Sequence, residues 1–350
     1  MGSNISIEIG THSIRGAVMI NGKPHKIPLG YPSSPYSCPS VAAKHHEGNF
    51  IFGDYANDFR FCSYREFYHI ADIEPSSDLY CPLYKGLANY ISERLKRYGY
   101  AHPSSCTIIV PTFWGTVDPR KTKIENSFKA AGIDRISFIP DIVALCRYNA
   151  FLEENSPVIA FDFGYSGTTI SIIKREGDRI AILATVRKEN IGGRAINGIL
   201  LKRIDSEKSL STNSLTFPPL LLLEKQAECA ERINEELSFS ETVSQSFITD
   251  IYTLNRQEFF DMTKHLFISA IQSCKEILAK ANLSFSNISK VLICGGCSNI
   301  PFIEDLVNKF FIGNCNKTIG LKKISEGADY SYYQCFGALY SNDDEFSITL

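Results

Sequence analysis

One local pattern occurs twice in this chain and restricts the folds open to it. Val158-Ile-Ala-Phe-Asp-Phe-Gly-Tyr-Ser-Gly-Thr-Thr-Ile-Ser-Ile-Ile173 is an apolar strand carrying one acid, Asp162. A small-residue turn with Gly164, Ser166 and Gly167 follows, and then a second strand rich in β-branched residues. Ile5-Ser-Ile-Glu-Ile-Gly-Thr-His-Ser-Ile-Arg-Gly-Ala-Val-Met-Ile20 has the same plan, with Glu8 two residues before Gly10 as Asp162 is two before Gly164. A buried strand rarely tolerates a carboxylate, because desolvating a charge costs several kcal/mol unless it is paired or metal-bound. The adjoining glycines allow a ligand to approach bare backbone N–H groups. One such hairpin alone reads more readily as a tight turn with a solvated acid; two in one chain are far more specific. Both second strands run to turns, Asn21-Gly22 and Glu176-Gly177-Asp178, the first of them a strong hairpin signal.

The elements after each hairpin rhyme as well. A helix is expected over Leu83–Tyr98, where Leu87, Ala88, Ile91 and Leu95 keep helical spacing and Gly99 stops it. Thr107–Val110 reads as a short buried strand, and Asp118-Pro119 as a helix start with Asp as N-cap and Pro in the first turn. Arg135–Ile139 is expected as a strand and Pro140–Phe151 as a helix, whereas residues 57–80 have no clear period. The second half runs through a third strand over Ile180–Val186, a Gly192-Gly193 turn opening a helix, and a Ser/Thr/Pro-rich loop at 206–218. Then come a helix over Leu220–Leu237, a hairpin within 238–250, one long helix over Asn255–Asn282, a strand at Lys290–Ile293 and a helix started by Pro301. A short helix over Gln334–Tyr340 and a frayed acidic tail end the chain. Hairpin, third strand, helix, strand, loop, proline-started helix runs from 5 to 132 and again from 158 to 311, an internal duplication of roughly 150 residues. The reading is an α/β fold of two duplicated lobes, 1–157 and 158–340, with an insertion near 206–255 and a tail at 341–350. The two glycine turns are expected to line a ligand cleft from both sides.

Composition removes several classes. The 350 residues suffice for two sizeable cores, and 44% hydrophobic with 21% charged residues is ordinary for a globular protein. A net charge of −2, from 36 basic and 38 acidic residues, argues against direct nucleic-acid binding. No apolar run approaches the roughly 20 residues of a membrane span, and no signal-peptide layout opens the chain. Eleven scattered cysteines then read as reduced thiols of a cytoplasmic protein. The close pair Cys294-Gly-Gly-Cys297 has no second pair or nearby histidines to complete a zinc site, so core thiols are the expectation.

Two opposed hairpins offering backbone N–H groups can hold a polyphosphate, and two acids beside them, Glu8 and Asp162, can hold a hydrated Mg2+ through its waters. No Gly-Lys-Ser or Gly-Lys-Thr occurs, so any phosphate site is not of the Walker kind. Gly192-Gly193 opens a helix whose N-terminus suits an anion, and Gly295-Gly296 lets a flat group approach the backbone.

The motifs taken in order resemble the nucleotide-binding domain of the DnaK-type heat-shock chaperones, within the actin-like ATPase superfamily, over nearly the whole chain. Ile7-Glu-Ile-Gly-Thr11 resembles the first phosphate loop and Asp162-Phe-Gly164 the second. Val110-Pro-Thr-Phe113 through Gly132 resembles the segment beginning Val-Pro-Ala-Tyr-Phe, and Ile191-Gly-Gly193 the Leu-Gly-Gly turn. Val291-Leu-Ile-Cys-Gly-Gly-Cys-Ser-Asn-Ile-Pro301 resembles the adenosine motif, and Phe336-Gly-Ala338 the final Tyr-Gly-Ala helix. The resemblance implies an actin-like fold around a nucleotide cleft, with ATP or ADP and Mg2+. It implies nucleotide contacts at Gly10, Thr11, His12, Gly164, Tyr165, Ser166, Gly192, Gly193, Glu231, Gly295, Gly296, Cys297 and Asn299, and metal contacts through water at Glu8 and Asp162.

The departures bear on catalysis. Glu8 stands where the family has Asp, Ile139 where it has a catalytic Glu, Gly167 where it has Thr, and Thr169 where it has a second Asp. No lysine lies between Asp54 and Ile70, where the family's catalytic Lys is expected; Arg60 and Arg65 are the nearest substitutes. Asn234 and Glu235 replace the Lys and Arg that follow Glu231, and Asn299 the adenine-stacking Arg. Losing a base and a charge-stabilising Lys costs hydrolysis orders of magnitude. The remaining catalytic candidates are Asp162 and Asp141. The sequence stops where the family's peptide-binding β-sandwich begins, so none is expected. Ile182-Leu-Ala-Thr185, Val110-Pro-Thr112 and Asp343-Asp-Glu345 resemble the Ssz-type subunit of the ribosome-associated complex. That resemblance implies a weakly or non-hydrolysing chaperone partner acting with a zuotin-type J-protein at the ribosome. The alternatives are an active ATPase or sugar-kinase-like phosphotransferase of the same superfamily and a filament-forming actin relative.

Overall fold

The computed structural model describes residues 3–45, 48–58, 66–149, 152–206, 219–247, 250–315, 319–324, 329–340 and 346–348. The chain divides into two compact units, one of Met1–Asn155, Lys174–Ile182 and Gly327–Leu350, the other of Ser156–Ile173 and Leu183–Glu326.

In the first unit, β1 (Ser3–Ile9), β2 (Ile14–Ile20) and β3 (Lys23–Lys26) form an antiparallel meander. Asn21 and Gly22 both take positive φ, 50° and 75°, the twist a two-residue hairpin needs. Then β4 (Val41–Lys44), β5 (Phe50–Phe52), helix α1 (Asp54–Asn57) and β6 (Glu66–His69) follow, the strands making a separate sheet in the order β5-β4-β6. Helix α2 (Tyr80–Arg97) begins three residues before the periodicity predicts, because Tyr80 and Leu83 extend its buried stripe of Tyr84, Leu87, Ala88, Ile91 and Leu95. β7 (Pro103–Val110) lies parallel to β1. The Asp118 carboxylate then accepts from the Arg120 N–H to cap α3 (Pro119–Lys129). β8 (Arg135–Pro140) runs parallel to β7, and α4 (Asp141–Asn149) follows without a break. The main sheet of this unit has the order β3-β2-β1-β7-β8. Ile5, Ser6 and Ile7 are all buried, so its central strand is covered on both faces.

The second unit repeats that order. β9 (Val158–Phe163), β10 (Gly167–Glu176) and β11 (Arg179–Glu189) form the meander, and α5 (Gly193–Ser206) and α6 (Pro219–Leu237) follow. β12 (Thr242–Phe247) and β13 (Asp250–Asn255) pair alone, so the hairpin lies about four residues later than expected. Asn255 caps α7 (Arg256–Gln272) through a capping box with Glu258. The single long helix expected here is two: α7 ends at Gln272 with Ser273 as its C-cap, and α8 (Cys274–Lys280) starts beyond it. The Ser273 hydroxyl donates to the Ser269 carbonyl at 3.2 Å, taking a backbone acceptor of the last turn. β14 (Lys290–Cys294), α9 (Pro301–Asn314) and β15 (Gly320–Lys323) complete the repeat. Helix α10 (Tyr333–Ala338) and β16 (Phe346–Ile348) come next in the chain and belong to the first unit.

The larger sheet has the order β15-β14-β9-β10-β11-β16. Without β16 it is the order of the first sheet with each strand replaced by its counterpart, which is the duplicated α/β plan of the actin-like ATPase fold. The tail expected to fray supplies β16, paired in parallel with Ile180–Ile182. Each unit has its own apolar core. Ile5, Ile7, Leu87, Ile108 and Phe128 belong to one, and Phe161, Phe163, Ile196, Phe267 and Ile293 to the other. Among the described residues no helix is long and apolar enough to cross a membrane.

Candidate functional site

The first glycine turn joins β1 to β2. The Gly10 N–H donates to the Ser13 carbonyl at 3.0 Å, closing a turn that carries half-buried Thr11 and exposed His12. Glu8 stands at the end of β1, where register places Arg15 opposite it. The Arg15 guanidinium donates to Glu8 Oε2 at 3.3 Å, with both side chains largely covered. Nearby in the same unit, Asp141 opens α4 and caps it on itself: Oδ1 accepts from the Ile142 N–H at 2.6 Å, from the Thr112 N–H at 3.2 Å and from the Thr112 hydroxyl. Burial pushes its carboxyl up to about 6, with the negative charge of Glu8 adding to the rise and the Thr112 and Ile142 hydrogen bonds opposing it. Ile139, at the family's catalytic Glu position, is 1% exposed within β8.

The second turn is built more tightly. Gly164 donates its N–H to the Gly167 carbonyl at 3.1 Å. The start of α5 closes over this loop, the Gly193 N–H bonding the Gly164 carbonyl (3.2 Å) and the Arg194 N–H the Tyr165 carbonyl (2.8 Å). Those two N–H groups, expected to receive an anion, are thus engaged by the loop itself, which caps the helix. The approach is close enough to require glycine: a Cβ on residue 192 would lie 2.3 Å from the Gly164 carbonyl oxygen and 2.7 Å from that of Tyr165. At the third contact Gly295 takes φ 87°, and a Cβ there would lie 2.4 Å from Asp162 Oδ1. Asp162, Gly164, Tyr165, Ser166, Gly192, Gly193, Gly295 and Cys297 therefore converge at one end of β9.

Cys297 is buried, donates to the Gly164 carbonyl at 3.5 Å, and has its thiol pushed up to about 12 by burial. Cys294 donates to the Phe161 carbonyl at 3.3 Å. Both are unbridged thiols placed in the core. Gly296 is exposed and Asn299 half-buried in the turn that follows β14. Glu231 is half-buried on α6, one turn before Asn234, whose amide donates to Asn197 Oδ1 on α5 at 2.9 Å. Arg60 and Arg65 fall outside the described residues.

Two residues of these sites escape sequence reasoning. Thr112 is read as part of a strand–proline motif, yet its hydroxyl is the partner of Asp141. Arg187, on β11, donates through Nη2 to the Ser166 hydroxyl (2.7 Å) and through Nη1 to the Thr169 hydroxyl (3.1 Å). A signal for it did exist. The Gly177 turn places residue 169 opposite 187, just as Ser171 meets Thr185 at 3.3 Å two residues along on each strand. Gly167 makes room for it, since a Cβ there would lie 3.0 Å from Arg187 Nη2 and 2.6 Å from the Lys188 carbonyl oxygen.

The glycines of the second turn let its loop, α5 and the turn after β14 pack closely on one another, and the N–H groups of Gly164, Gly193 and Arg194 are taken up in that packing. Of the two acids assigned to a hydrated Mg2+, Glu8 is ion-paired with Arg15, and Asp162 is half-buried at the end of β9 beside Gly295.

Comparison with known proteins agrees with the topology. Residues 88–328 match the Hsp70 protein family. Chaperone protein HscA of Buchnera aphidicola subsp. Baizongia pistaciae (strain Bp) is 26% identical over 206 residues, 58% of this chain and 39% of that protein. The matched stretch thus spans about two fifths of that curated relative. A family match over more than half of the chain, on a fold whose two sheets repeat one strand order, places it plainly: the chain belongs to the Hsp70 family.

Proposed function

We propose that this chain is an atypical Hsp70-type chaperone subunit that binds ATP or ADP with little or no hydrolysis. In this reading it is cytoplasmic and acts with a zuotin-type J-protein in protein folding at the ribosome. The observation that carries the reading is Ile139, a buried hydrocarbon, where the family has its catalytic Glu, in a chain that keeps Asp162 and Gly164 of the second turn. A hydrocarbon can neither orient nor deprotonate a water, so nucleotide is held better than it is cut. Gly167 in place of Thr supports the same view, since no hydroxyl is available there to position a terminal phosphate. Single-turnover assays with labelled ATP test it. Turnover at least about a hundredfold below that of an HscA-type chaperone assayed alongside is expected, the scale of losing one general base; turnover at ordinary chaperone rates would overturn it.

One observation favours a second reading, an active phosphotransferase with Asp141 as base. Burial lifts its carboxyl to about 6, near the operating range of a general base. Against it, one carboxylate oxygen already accepts three hydrogen bonds. Turnover that survives Asp141→Ala unchanged removes this alternative.

A further inference from the structure

We propose that Lys26 is a charge-dependent pin: its ammonium holds the turn before α10 and the loop after β3 together, and removing that charge loosens the first glycine turn. All of the contacts lie within the first unit. Lys26 is the last residue of β3, and its Nζ stands 5.2 Å from the centroid of the Tyr36 ring and 5.0 Å from that of Tyr332. The same ammonium is ion-paired with Asp329. The two rings meet edge to face at 6.4 Å, and the Tyr332 hydroxyl donates to the Tyr36 carbonyl at 3.0 Å. Two rings and a carboxylate around one ammonium make an aromatic cage. The cation inside this one belongs to the chain itself. It joins three segments far apart in sequence: β3, the loop that carries Tyr36, and the short 3-10 turn Tyr330–Tyr332.

The loop held in this way runs directly into the first glycine turn. Two residues past Tyr36, the Cys38 carbonyl accepts from the Ile14 N–H at 2.7 Å, and the Ser40 N–H donates to the His12 carbonyl at 3.0 Å. These bonds flank the exit of the Gly10–Ser13 turn into β2, so a loop that moves carries that exit with it. The C-terminal side of the pinned turn is fastened differently. In α10 the buried Cys335 carbonyl accepts from the Ser6 hydroxyl at 2.7 Å, and Gly337 packs on the Ala144 backbone too closely to admit a Cβ. That packing involves no charge and stays in place when Lys26 is neutralised. A segment with an electrostatic attachment at one end and a packed one at the other opens locally, without unfolding of the unit. The Lys26 side chain is 23% exposed and that of Asp329 48%, so the hold is weak enough to be released.

The experiment is amide hydrogen exchange of the full chain, read by mass spectrometry, for the native protein, Lys26→Met and Lys26→Arg. Lys26→Met keeps an apolar stem and removes the charge. It is expected to speed exchange about tenfold in peptides covering 31–38 and 329–333, and at least about threefold in peptides covering 8–14, with β7 and α10 unchanged. Lys26→Arg keeps a cation that stacks on rings and is expected to stay within about twofold of native throughout. Native rates for Lys26→Met in these peptides overturn the proposal. So does a speed-up shared equally by β7, which marks a loss of stability of the whole unit, and so does Lys26→Arg behaving like Lys26→Met. Faster exchange in 31–38 and 329–333 with 8–14 at the native rate overturns the link to the glycine turn. If Lys26→Met does not fold, Asp329→Asn, at a half-exposed carboxylate, is read in the same peptides, and native rates there overturn the proposal.

Discussion

Asp141 is a carboxylate held half-buried at the start of a helix, and its protonation is coupled to folding. Burial raises its pKa from an ordinary 3.8 to about 6, against the opposing hydrogen bonds from Thr112 and Ile142. Between pH 4 and 6 the folded chain holds a proton there that the unfolded chain has released. The contribution of this group is therefore most favourable below about pH 4, declines as pH rises through 6, and stays low above it. Asp141→Asn keeps an oxygen for the Thr112 and Ile142 N–H groups and removes the titration. Urea denaturation at pH 4.5, 5.5 and 6.5 should show the variant gaining on the native protein with rising pH, by on the order of 2 kcal/mol over the window. A difference that stays flat would mean that the carboxyl is not perturbed by burial. The sequence drew attention to Asp141 through its neighbour Pro140 but gave no hint of Thr112, since nothing local reports that two strand ends lie side by side. Arg187 was hidden differently, because a charge near a strand end reads as solvated until strand register brings it to a turn.

Elements were most legible where local chemistry fixes them. Asn21-Gly22 sets its own turn, and Asp118-Pro119 caps its own helix whatever lies around it. The break at Ser273 was invisible because Cys274, Ile277 and Leu278 continue the buried side of α7, so the apolar period crosses the break. Strands β6 and β16 were missed because strands of four and three residues carry too few alternations to register. Helix α10 shows how close packing can rest on one residue. Its Gly337 meets α4, where a Cβ would lie 1.8 Å from the Ala144 carbonyl oxygen and 2.8 Å from the carbonyl carbon. Tyr148 of α4 also packs against Phe336 and Tyr333, with ring centroids 5.3 and 5.0 Å away, contacts that a parting of the helices would loosen. The Ser6 hydroxyl also bonds the Cys335 carbonyl at 2.7 Å, tying α10 to β1. Gly337→Ala should therefore cost about 3 kcal/mol, the scale of overpacking in a dense core. A urea midpoint unchanged from the native protein would show that α10 shifts freely and that the contact is dispensable.

At the scale of the molecule, charge decides how a ribosome could be reached. Neutralising phosphates requires a basic surface, and binding of that kind weakens steeply with salt. This chain carries 36 basic against 38 acidic residues, a net charge of −2 with no basic excess. If the proposed ribosomal role is correct, attachment must come through a partner protein and not through direct contact with RNA. Sedimentation of the purified chain with ribosomes through a sucrose cushion, with and without a zuotin-type J-protein, separates the two routes. The chain should enter the ribosome pellet only when the J-protein is present, and the pelleted fraction should follow the salt dependence of the J-protein alone. Equal pelleting without the J-protein would mean that the chain has an RNA-binding surface that its charge does not predict. No pelleting in either case would remove the ribosome from the proposal, while the Hsp70 family assignment, which rests on residues 88–328, would stand.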